Sequence, residues 1–251
     1  MKKLALFILA LGLLGACKKK KNEEPATIPP AVVTPQSPVS IIMIPPDADG
    51  VLNAFRSQKS STYPTFVGDA TAYFYNSATN YTYVDGGTVK CNDSVLVKQS
   101  SGSYQYLGKL VGTQPYSGID YSAGYSWTVT GTSNVPSFTF ATASFPSNAA
   151  LTSSTLIPKS STYNCTFTPP LNADSVVVML TSDSVMQKKT VAASTGTCSF
   201  SPAELAAVRQ QGSTQFFYMS ILAYRILPNP VSTKKYYMLS STTATWRVNI
   251  Y

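Results

Sequence analysis

The sequence predicts an all-β fold made of two antiparallel β-sandwich modules. After residue 46 the chain consists largely of short runs in which β-branched or aromatic residues alternate with polar ones, the period of a half-buried strand. Gly, Asn, Asp, Ser and Pro, which are typical of tight turns, separate these runs. A single short segment has the pattern of a helix. Together these features indicate packed sheets.

Residues 1–16 have the composition of a secretory signal peptide. Lys2 and Lys3 precede an apolar stretch, and Gly15 and Ala16 are the small residues expected before a cleavage site. The apolar stretch is shorter than the roughly 20 residues that a membrane-spanning helix needs. We therefore expect this segment to be removed from the mature protein.

Residues 17–46 are predicted to form a disordered linker. The segment begins with Cys17, continues with four lysines, and becomes rich in proline towards Pro46. Proline removes a backbone donor and fixes φ, so the second half of the linker is expected to be extended.

The first module is predicted to span residues 47–150. Its expected strands lie within residues 68–77, 86–93, 94–99, 125–131 and 137–143. The sequence DADG at Asp47–Gly50 has the two acids and the glycine of half a calcium-binding loop. Position twelve of that loop is Gln58 where a glutamate is required. We therefore interpret DADG as a turn that enters the module.

The second module is predicted to span residues 151–251. Six alternating stretches follow one another here, ending with residues 214–226 and 234–251, and their spacing is typical of an immunoglobulin-like or fibronectin-like sandwich. The sequence NDSVLVK at Asn92–Lys98 returns as NADSVVVM at Asn172–Met179. This similarity fits either two duplicated modules or the common use of such a turn before a valine-rich strand.

One helix is expected within the second module. Ser201 is its predicted N-cap, Pro202 suits the first helical position, and Glu204 completes a capping box. The helix is predicted to have one or two turns, with Leu205 and Val208 closing the end of the core.

Charge and residue content exclude several classes of function. From Pro25 onward the chain has 13 basic and 9 acidic residues, a thinly spread net charge of +4, so no nucleic-acid partner is predicted. Histidine is absent, which removes the usual hydrolytic base and the commonest metal ligand. We therefore predict no enzymatic activity, no metal site and no cofactor. A paired-carboxylate mechanism is the alternative, although most aspartates lie in turn-like stretches.

Three cysteines follow Cys17. Cys165 and Cys198, separated by about 33 residues, are a candidate disulfide between paired strands of the second module. Two neighbouring buried thiols are the alternative. Cys91 is left over, either buried or available to another chain.

The sixteen tyrosines raise the prospect of an aromatic platform on which a sugar ring could pack. Three stretches are rich in them, at residues 73–87, 101–108 and 114–127. The candidate ligand-contacting residues are Tyr104, Tyr106, Tyr116 and Tyr121. Trp127 and Trp246 lie in alternating strands and are expected in the core.

The segment Leu14–Cys17, with the sequence LGAC, resembles the lipobox of bacterial lipoproteins. This resemblance implies that Cys17 carries lipid, becomes the first mature residue and anchors the chain without spanning the membrane. KNEE at Lys21–Glu24 is similar to the sorting signal of surface lipoproteins of Bacteroidota, and the chain resembles uncharacterised exported lipoproteins of that group. The implied location is the outer membrane, facing the cell surface or, alternatively, the periplasm.

These features lead us to expect a lipid-anchored cell-envelope protein that acts by binding or display. Its expected partners are membrane lipid and a glycan or an envelope protein. One alternative is a glycan-binding accessory of a polysaccharide-uptake system. The other is a fimbrillin-like adhesin or structural subunit.

Overall fold

A computed structural model describes residues 44–58, 66–108, 118–182, 185–210 and 217–251. Strands dominate the described chain, which confirms the all-β prediction. The strands in chain order are β1 (Gly50–Gln58), β2 (Phe66–Ser77), β3 (Asn80–Tyr83), β4 (Val89–Cys91), β5 (Ser94–Val95), β6 (Val97–Lys98), β7 (Tyr104–Tyr106), β8 (Tyr125–Val129), β9 (Phe138–Thr142), β10 (Leu156–Ile157), β11 (Tyr163–Thr166), β12 (Ser175–Thr181), β13 (Met186–Ala192), β14 (Thr197–Phe200), β15 (Phe217–Val231) and β16 (Lys234–Ile250). One helix, α1 (Pro202–Gln210), and a 3-10 turn at Ala193–Thr195 complete the described elements.

Ten strands form one large sheet. Its order is β13-β12-β15-β16-β1-β2-β7-β6, with β10 added beside β16 and β3 beside β2. Most pairs are antiparallel, whereas β1 and β10 each run parallel to β16. A four-stranded sheet, β5-β4-β8-β9, and a two-stranded sheet, β11-β14, lie outside it.

Two hydrophobic cores pack on this sheet. The aromatic core combines residues of the four-stranded sheet with β1, β2, β7 and the start of β16, and its buried rings are Phe74, Tyr104, Tyr121, Tyr125, Trp127, Phe138, Phe145 and Tyr236. The aliphatic core combines β11, β12, β14, α1, the start of β15 and the end of β16, and its buried side chains include Val176, Val178, Leu180, Leu205, Val208, Ile221, Val248 and Ile250. The predicted division into modules at residue 150 stays a prediction.

Strand β16 contributes to both cores. Successive side chains of a strand point to opposite faces, so its even-numbered residues share one face. Tyr236 belongs to the aromatic core and Val248 to the aliphatic core. Ser240 and Thr242 lie between them on the same face and are also buried. A buried polar stretch therefore separates the two cores along a single strand.

Strand β15 continues through Pro228 and Pro230, beyond the predicted stretch. Both residues stay in register with β16, while the pairing with β12 ends at Tyr224. Pro228 and Pro230 are two positions apart, so the backbone nitrogens of both point to the same edge of β15. That side is the one without a neighbouring strand, where proline costs no ladder hydrogen bond.

The predicted strand at residues 94–99 is divided between two sheets. Ser94 and Val95 pair with β4, whereas Val97 and Lys98 pair with β7. Leu96, between them, is buried in the aromatic core. Burial of this one side chain fixes the corner at which the chain changes sheet.

The predicted capped helix and the burial of Trp127 are confirmed, whereas Trp246 is only partly buried against the aliphatic core. Ser201 and Glu204 exchange the two hydrogen bonds of a capping box, because the Ser201 N–H donates to Glu204 Oε2 at 2.8 Å and the Glu204 N–H donates to Ser201 Oγ at 3.3 Å. Leu205 and Val208 are fully buried in the aliphatic core. Trp127 is 1% exposed in the aromatic core.

The DADG turn attaches the start of the described chain to β16. Asp47 accepts hydrogen bonds from Lys235 Nζ and the Tyr237 hydroxyl, both at 2.7 Å. Asp49 accepts one from the Lys235 N–H at 2.9 Å. Both carboxylates are thus occupied by protein contacts.

Candidate functional site

The candidate site is a tyrosine cluster on the hairpin formed by β2 and β3. Tyr75 and Tyr83 are cross-strand partners, and the register shifts between this pair and the Ser77–Asn80 pair next to the turn. The turn is held by the Asn80 N–H, which donates to Ser77 Oγ at 3.1 Å. We call Tyr73, Tyr75, Tyr81 and Tyr83 the tyrosine patch.

The four rings form a continuous row of contacts in the order Tyr73, Tyr83, Tyr75, Tyr81. Tyr75 and Tyr83 stack with centroids 5.8 Å apart, and Tyr81 meets Tyr75 edge-on at 5.2 Å. Tyr73 lies 5.6 Å from Tyr83. Such aromatic pairs add stabilisation beyond the area that they bury. The arrangement therefore orients the outermost ring by contact with the inner ones.

Exposure divides the patch into a base and a contact surface. Tyr73 and Tyr75 are almost fully buried, Tyr83 is half-buried, and Tyr81 is 58% exposed. A large ring that is exposed but packed on other rings can offer a ligand an apolar surface at a small cost in conformational entropy.

Alternation along β2 places the patch on the side away from the aromatic core. Phe74, between two patch residues, is part of that core and meets the Tyr104 ring edge-on at 5.8 Å. Its neighbours Tyr73 and Tyr75 consequently point to the opposite face. In the YFY sequence of β2, Phe74 thus packs in the aromatic core, and Tyr73 and Tyr75 belong to the tyrosine patch.

A glycine turn supports the patch from the side. Gly102 adopts φ +89°, and a Cβ at this position would lie 3.0 Å from Tyr83 Cβ. Both the positive φ and the close approach favour glycine. Burial raises the pKa of Tyr75 and of Tyr83 further above the ordinary value of 10.0, and both hydroxyls are protonated hydrogen-bond donors at neutral pH.

A lysine lies beside the patch at the Asn76 end. Lys234 Nζ donates to the Asn76 carbonyl oxygen at 3.2 Å and lies 3.7 Å from Asp49 Oδ1. Its positive charge is partly balanced by this carboxylate. The surroundings of the patch are therefore polar, and the charges of Lys234 and Asp49 largely offset each other.

The structure places the predicted ligand-contacting tyrosines elsewhere. Tyr104 and Tyr121 are each 2% exposed in the aromatic core, which leaves their rings no free face for a ligand. Tyr106 is half-buried against the same core, and Tyr116 lies outside the described residues. Tyr81, the exposed ring of the patch, lies in the first of the three tyrosine-rich stretches, where the alternation within YFY and NYTY groups tyrosines on one face without showing which face is exposed.

The hydroxyls of the two buried tyrosines are committed to internal hydrogen bonds. The Tyr104 hydroxyl donates to Asp85 Oδ1 and accepts from the Gly86 N–H at 3.0 Å. The Tyr121 hydroxyl donates to the Asp69 carbonyl oxygen at 2.7 Å. Burial, with a smaller contribution from the Asp85 bond, raises the pKa of Tyr104 to about 12.

A second concave surface lies at the end of the four-stranded sheet. This cleft has a volume of about 440 Å³ and includes Asn92, Asp93 and Gly124 in its lining. The Asn92 amide donates to the carbonyl oxygens of Asp120 and Gly124 and accepts from the Ser126 N–H. Since these polar atoms serve the loop itself, we rank the cleft below the tyrosine patch.

The remaining predicted site residues are cysteines. Cys165 and Cys198 are opposite partners on β11 and β14, and both are buried thiols. Cys91 is a buried thiol 3.6 Å from the Tyr121 hydroxyl, which places it in the aromatic core. Cys17 lies outside the described residues. Within the described ranges no group of three or more Cys, Asp or Glu side chains is placed to hold a metal ion.

The solved structures that match this chain include a distant structural neighbour. A solved structure described as a study of host cell surface retention of a 1.5-MDa bacterial ice-binding adhesin matches with a TM-score of 0.24 and 15% sequence identity. The match covers 80% of this chain, which spans 65% of the length of that chain. No family model matches the sequence, and no curated protein does. Among the described residues, no helix is both long and apolar enough to cross a membrane.

Proposed function

We propose that this chain is a lipid-anchored cell-envelope protein that acts without catalysis, by binding a ligand through the tyrosine patch. The single observation that carries the proposal is the exposed Tyr81 ring, packed edge-on against Tyr75. A ring held in this way combines an apolar face with a polar hydroxyl. Binding surfaces use tyrosine for this combination.

A glycan is the ligand class that the patch suits best. The apolar face of a sugar ring packs on an aromatic ring, while hydroxyls around its edge need polar partners. Asn80 and Thr82 flank Tyr81 and supply amide and hydroxyl groups, although Asn80 Oδ1 already accepts from the Thr82 N–H and hydroxyl. Lys234 supplies a nearby cation.

The test is a glycan array probed with the full chain purified in detergent. We expect Tyr81→Ala to weaken binding about tenfold or more, as loss of an aromatic binding hot spot does. Tyr218→Ala is the matched control, because Tyr218 is a 41% exposed tyrosine on β15, outside the patch. Equal losses in both variants, or no loss in either, would contradict a binding role of the patch.

Assembly as a fimbrillin-like subunit is the alternative that we rank second. Such assembly needs an open strand edge, and β13 is one edge of the large sheet. This strand carries Lys188 and Lys189, and lysines on an edge oppose pairing with another chain. Native-size measurement of the purified protein would decide, since a ladder of oligomers is expected only for a subunit of a filament.

The anchor in this proposal rests on Cys17 behind the signal peptide. Cells labelled with an alkyne fatty acid should give a labelled wild-type chain and an unlabelled Cys17→Ala variant. Equal labelling of the two would remove the lipid from the proposal. Protease treatment of intact cells then distinguishes the cell surface, where the chain is cut, from the periplasmic face, where it is protected.

A further inference from the structure

Strands β11 and β14 place two cysteines directly opposite each other. Their register pairs Cys165 with Cys198. Where this register continues, the Phe167 N–H donates to the Gly196 carbonyl oxygen at 2.9 Å. Antiparallel pairs alternate between hydrogen-bonded and non-hydrogen-bonded types, so the cysteines, two positions away, form the hydrogen-bonded type.

The Cα spacing of that type of pair is compatible with a disulfide. The Cα atoms of a hydrogen-bonded antiparallel pair lie about 5.5 Å apart, and disulfides join residues whose Cα atoms are about 4.4 to 6.8 Å apart. The Cβ atoms of a hydrogen-bonded pair lie about 5.5 Å apart, whereas a disulfide needs about 3.5 to 4.5 Å, so a bond between the two sulfurs requires side-chain rotation and an approach of the two strands by about 1 Å.

Both side chains also point to the same face of the two-stranded sheet. Cys165 is fully buried and Cys198 is 8% exposed, both in the aliphatic core. Cys165 Sγ contacts Met219 Sδ at 3.6 Å. The direct pairing and the shared face therefore place the two thiols side by side in a site closed to solvent.

We propose that Cys165 and Cys198 are joined by a disulfide in the exported protein. Two S–H bonds break and one S–S bond forms. The two protons and two electrons pass to the disulfide of a thiol:disulfide oxidoreductase in the envelope, which leaves as a dithiol. The inference rests on the export that the proposed function requires, because disulfides persist in oxidising compartments.

The proposed cross-link closes a loop at one end of the large sheet. The loop that it closes contains β12 and β13, the two strands at one end of the large sheet. It also fixes β11 to β14, the two-stranded sheet over the aliphatic core. Because the sulfurs are buried in the folded chain, oxidation precedes the packing of β11 and β14 on that core.

The decisive experiment counts thiols in the full chain. Cells are quenched with acid to stop thiol exchange, and the denatured protein is alkylated without reductant and then digested for mass spectrometry. Of the three cysteines that follow Cys17, we expect one to be alkylated, Cys91, and we expect a linked peptide pair containing Cys165 and Cys198 that is about 2 Da lighter than the two reduced peptides. Alkylation of all three cysteines, or a linkage that includes Cys91, would overturn the proposal.

A second measurement separates a covalent bond from packing of the thiols. Reduction should lower the melting temperature of the wild type by on the order of 10 °C, because the closed loop is released in the unfolded chain. Cys91→Ala should keep this response, and the double variant Cys165→Ala, Cys198→Ala should lose it. An unchanged melting temperature of the wild type on reduction would also overturn the proposal. Fatty-acid labelling of the same sample reports the lipid anchor independently. Failure of the disulfide proposal can therefore be distinguished from failure of the proposed function.

Discussion

The aromatic core and the aliphatic core pack on the same sheet but are built from different side chains. Eight buried aromatic rings fill the first, among them Trp127 and Tyr236. The second consists mainly of Val, Leu and Ile, with two thiols and a few rings. Tyrosine brings a hydroxyl into the interior, and a buried hydroxyl needs a hydrogen-bond partner.

The difference shows what each core depends on. The aromatic core is tied to polar groups at its rim, as when Tyr104 bonds Asp85 and Tyr121 bonds the Asp69 carbonyl oxygen. In the aliphatic core Tyr163 is the buried tyrosine, and its hydroxyl bonds the neutral groups of Ser153 and Ser154. The stability of the aromatic core therefore depends partly on an ionised carboxylate. The stability of the aliphatic core depends on close packing of its side chains and on the thiol pair.

Arg56 lies where the two cores meet on the sheet. Its Nη2 donates to the Pro146 carbonyl oxygen at 2.9 Å and to Thr242 Oγ1 at 3.4 Å, and its guanidinium lies 4.7 Å from the centre of the Phe145 ring. These contacts attach the segment around residue 146 to β1 and β16. The junction is polar, in contrast to both cores.

The largest expected effects come from emptying either core. Trp127→Ala should reduce the free energy of unfolding by about 3 to 5 kcal/mol, and Leu205→Ala by about 2 to 5 kcal/mol, through cavity formation. Because β15 and β16 lie under both cores, we expect each variant to shift one cooperative transition in calorimetry. Two separate transitions, each moved by one variant, would mean that the cores unfold independently.

Removing the arginine at the junction should have the next largest effect. Arg56→Ala removes charge-assisted hydrogen bonds and the ring contact, which together contribute about 2 to 3 kcal/mol. The control is Arg225→Ala, since Arg225 forms a long ion pair with Asp174 at 3.9 Å, and its loss should cost below about 1 kcal/mol. Urea unfolding of both variants measures the difference, and equal costs would contradict the role of Arg56 at the junction.

Tyr104 of the aromatic core and Tyr163 of the aliphatic core provide a matched pair of hydroxyl deletions. Tyr104→Phe removes a bond to a carboxylate and should cost about 1.5 to 3 kcal/mol, whereas Tyr163→Phe removes bonds to neutral groups and should cost about 0.5 to 1.5 kcal/mol. Both rings stay in place, so urea unfolding compares the hydroxyls alone. A larger cost for Tyr163→Phe would reverse the proposed contrast between the cores.

The smallest effect is the pH dependence of the Asp85 contacts. Hydrogen bonds from Lys98, Tyr104 and the Gly87 N–H lower the pKa of Asp85 to about 2, from an ordinary value of 3.8. A carboxyl whose folded pKa is lowered stabilises the fold above its unfolded pKa, and this stabilisation disappears as the pH falls from about 4 to about 2. The side chain is 52% exposed, so screening limits the contribution to below about 1 kcal/mol.

Asp85→Asn tests this dependence. The variant should be less stable than the wild type at pH 7, and the two unfolding midpoints should converge as the pH approaches 2. A difference that persists unchanged at pH 2 would show that the charge of Asp85 is not its cause. No similar convergence is expected for Tyr163→Phe, whose hydroxyl partners do not titrate.

The tyrosines show how far the sequence alone could locate the site. Tyr73 and Tyr75 follow the same alternation as Tyr104 and Tyr106, and all four belong to stretches that the composition singles out. Alternation separates the two faces of a strand but does not say which face another sheet covers. The local pattern therefore does not distinguish the buried Tyr104 from the exposed Tyr81.

The sequence by itself determined the β class, the capped helix at Ser201 and the burial of Trp127. Turn residues, capping boxes and alternation act within a few neighbouring residues, so they can be recognised without knowing the fold. Tertiary structure decided that β16 runs parallel to β1, that Leu96 turns the chain from one sheet to the other, and that Tyr81 stays exposed. Each of these depends on strands distant in sequence, because their packing determines which faces and edges are removed from water.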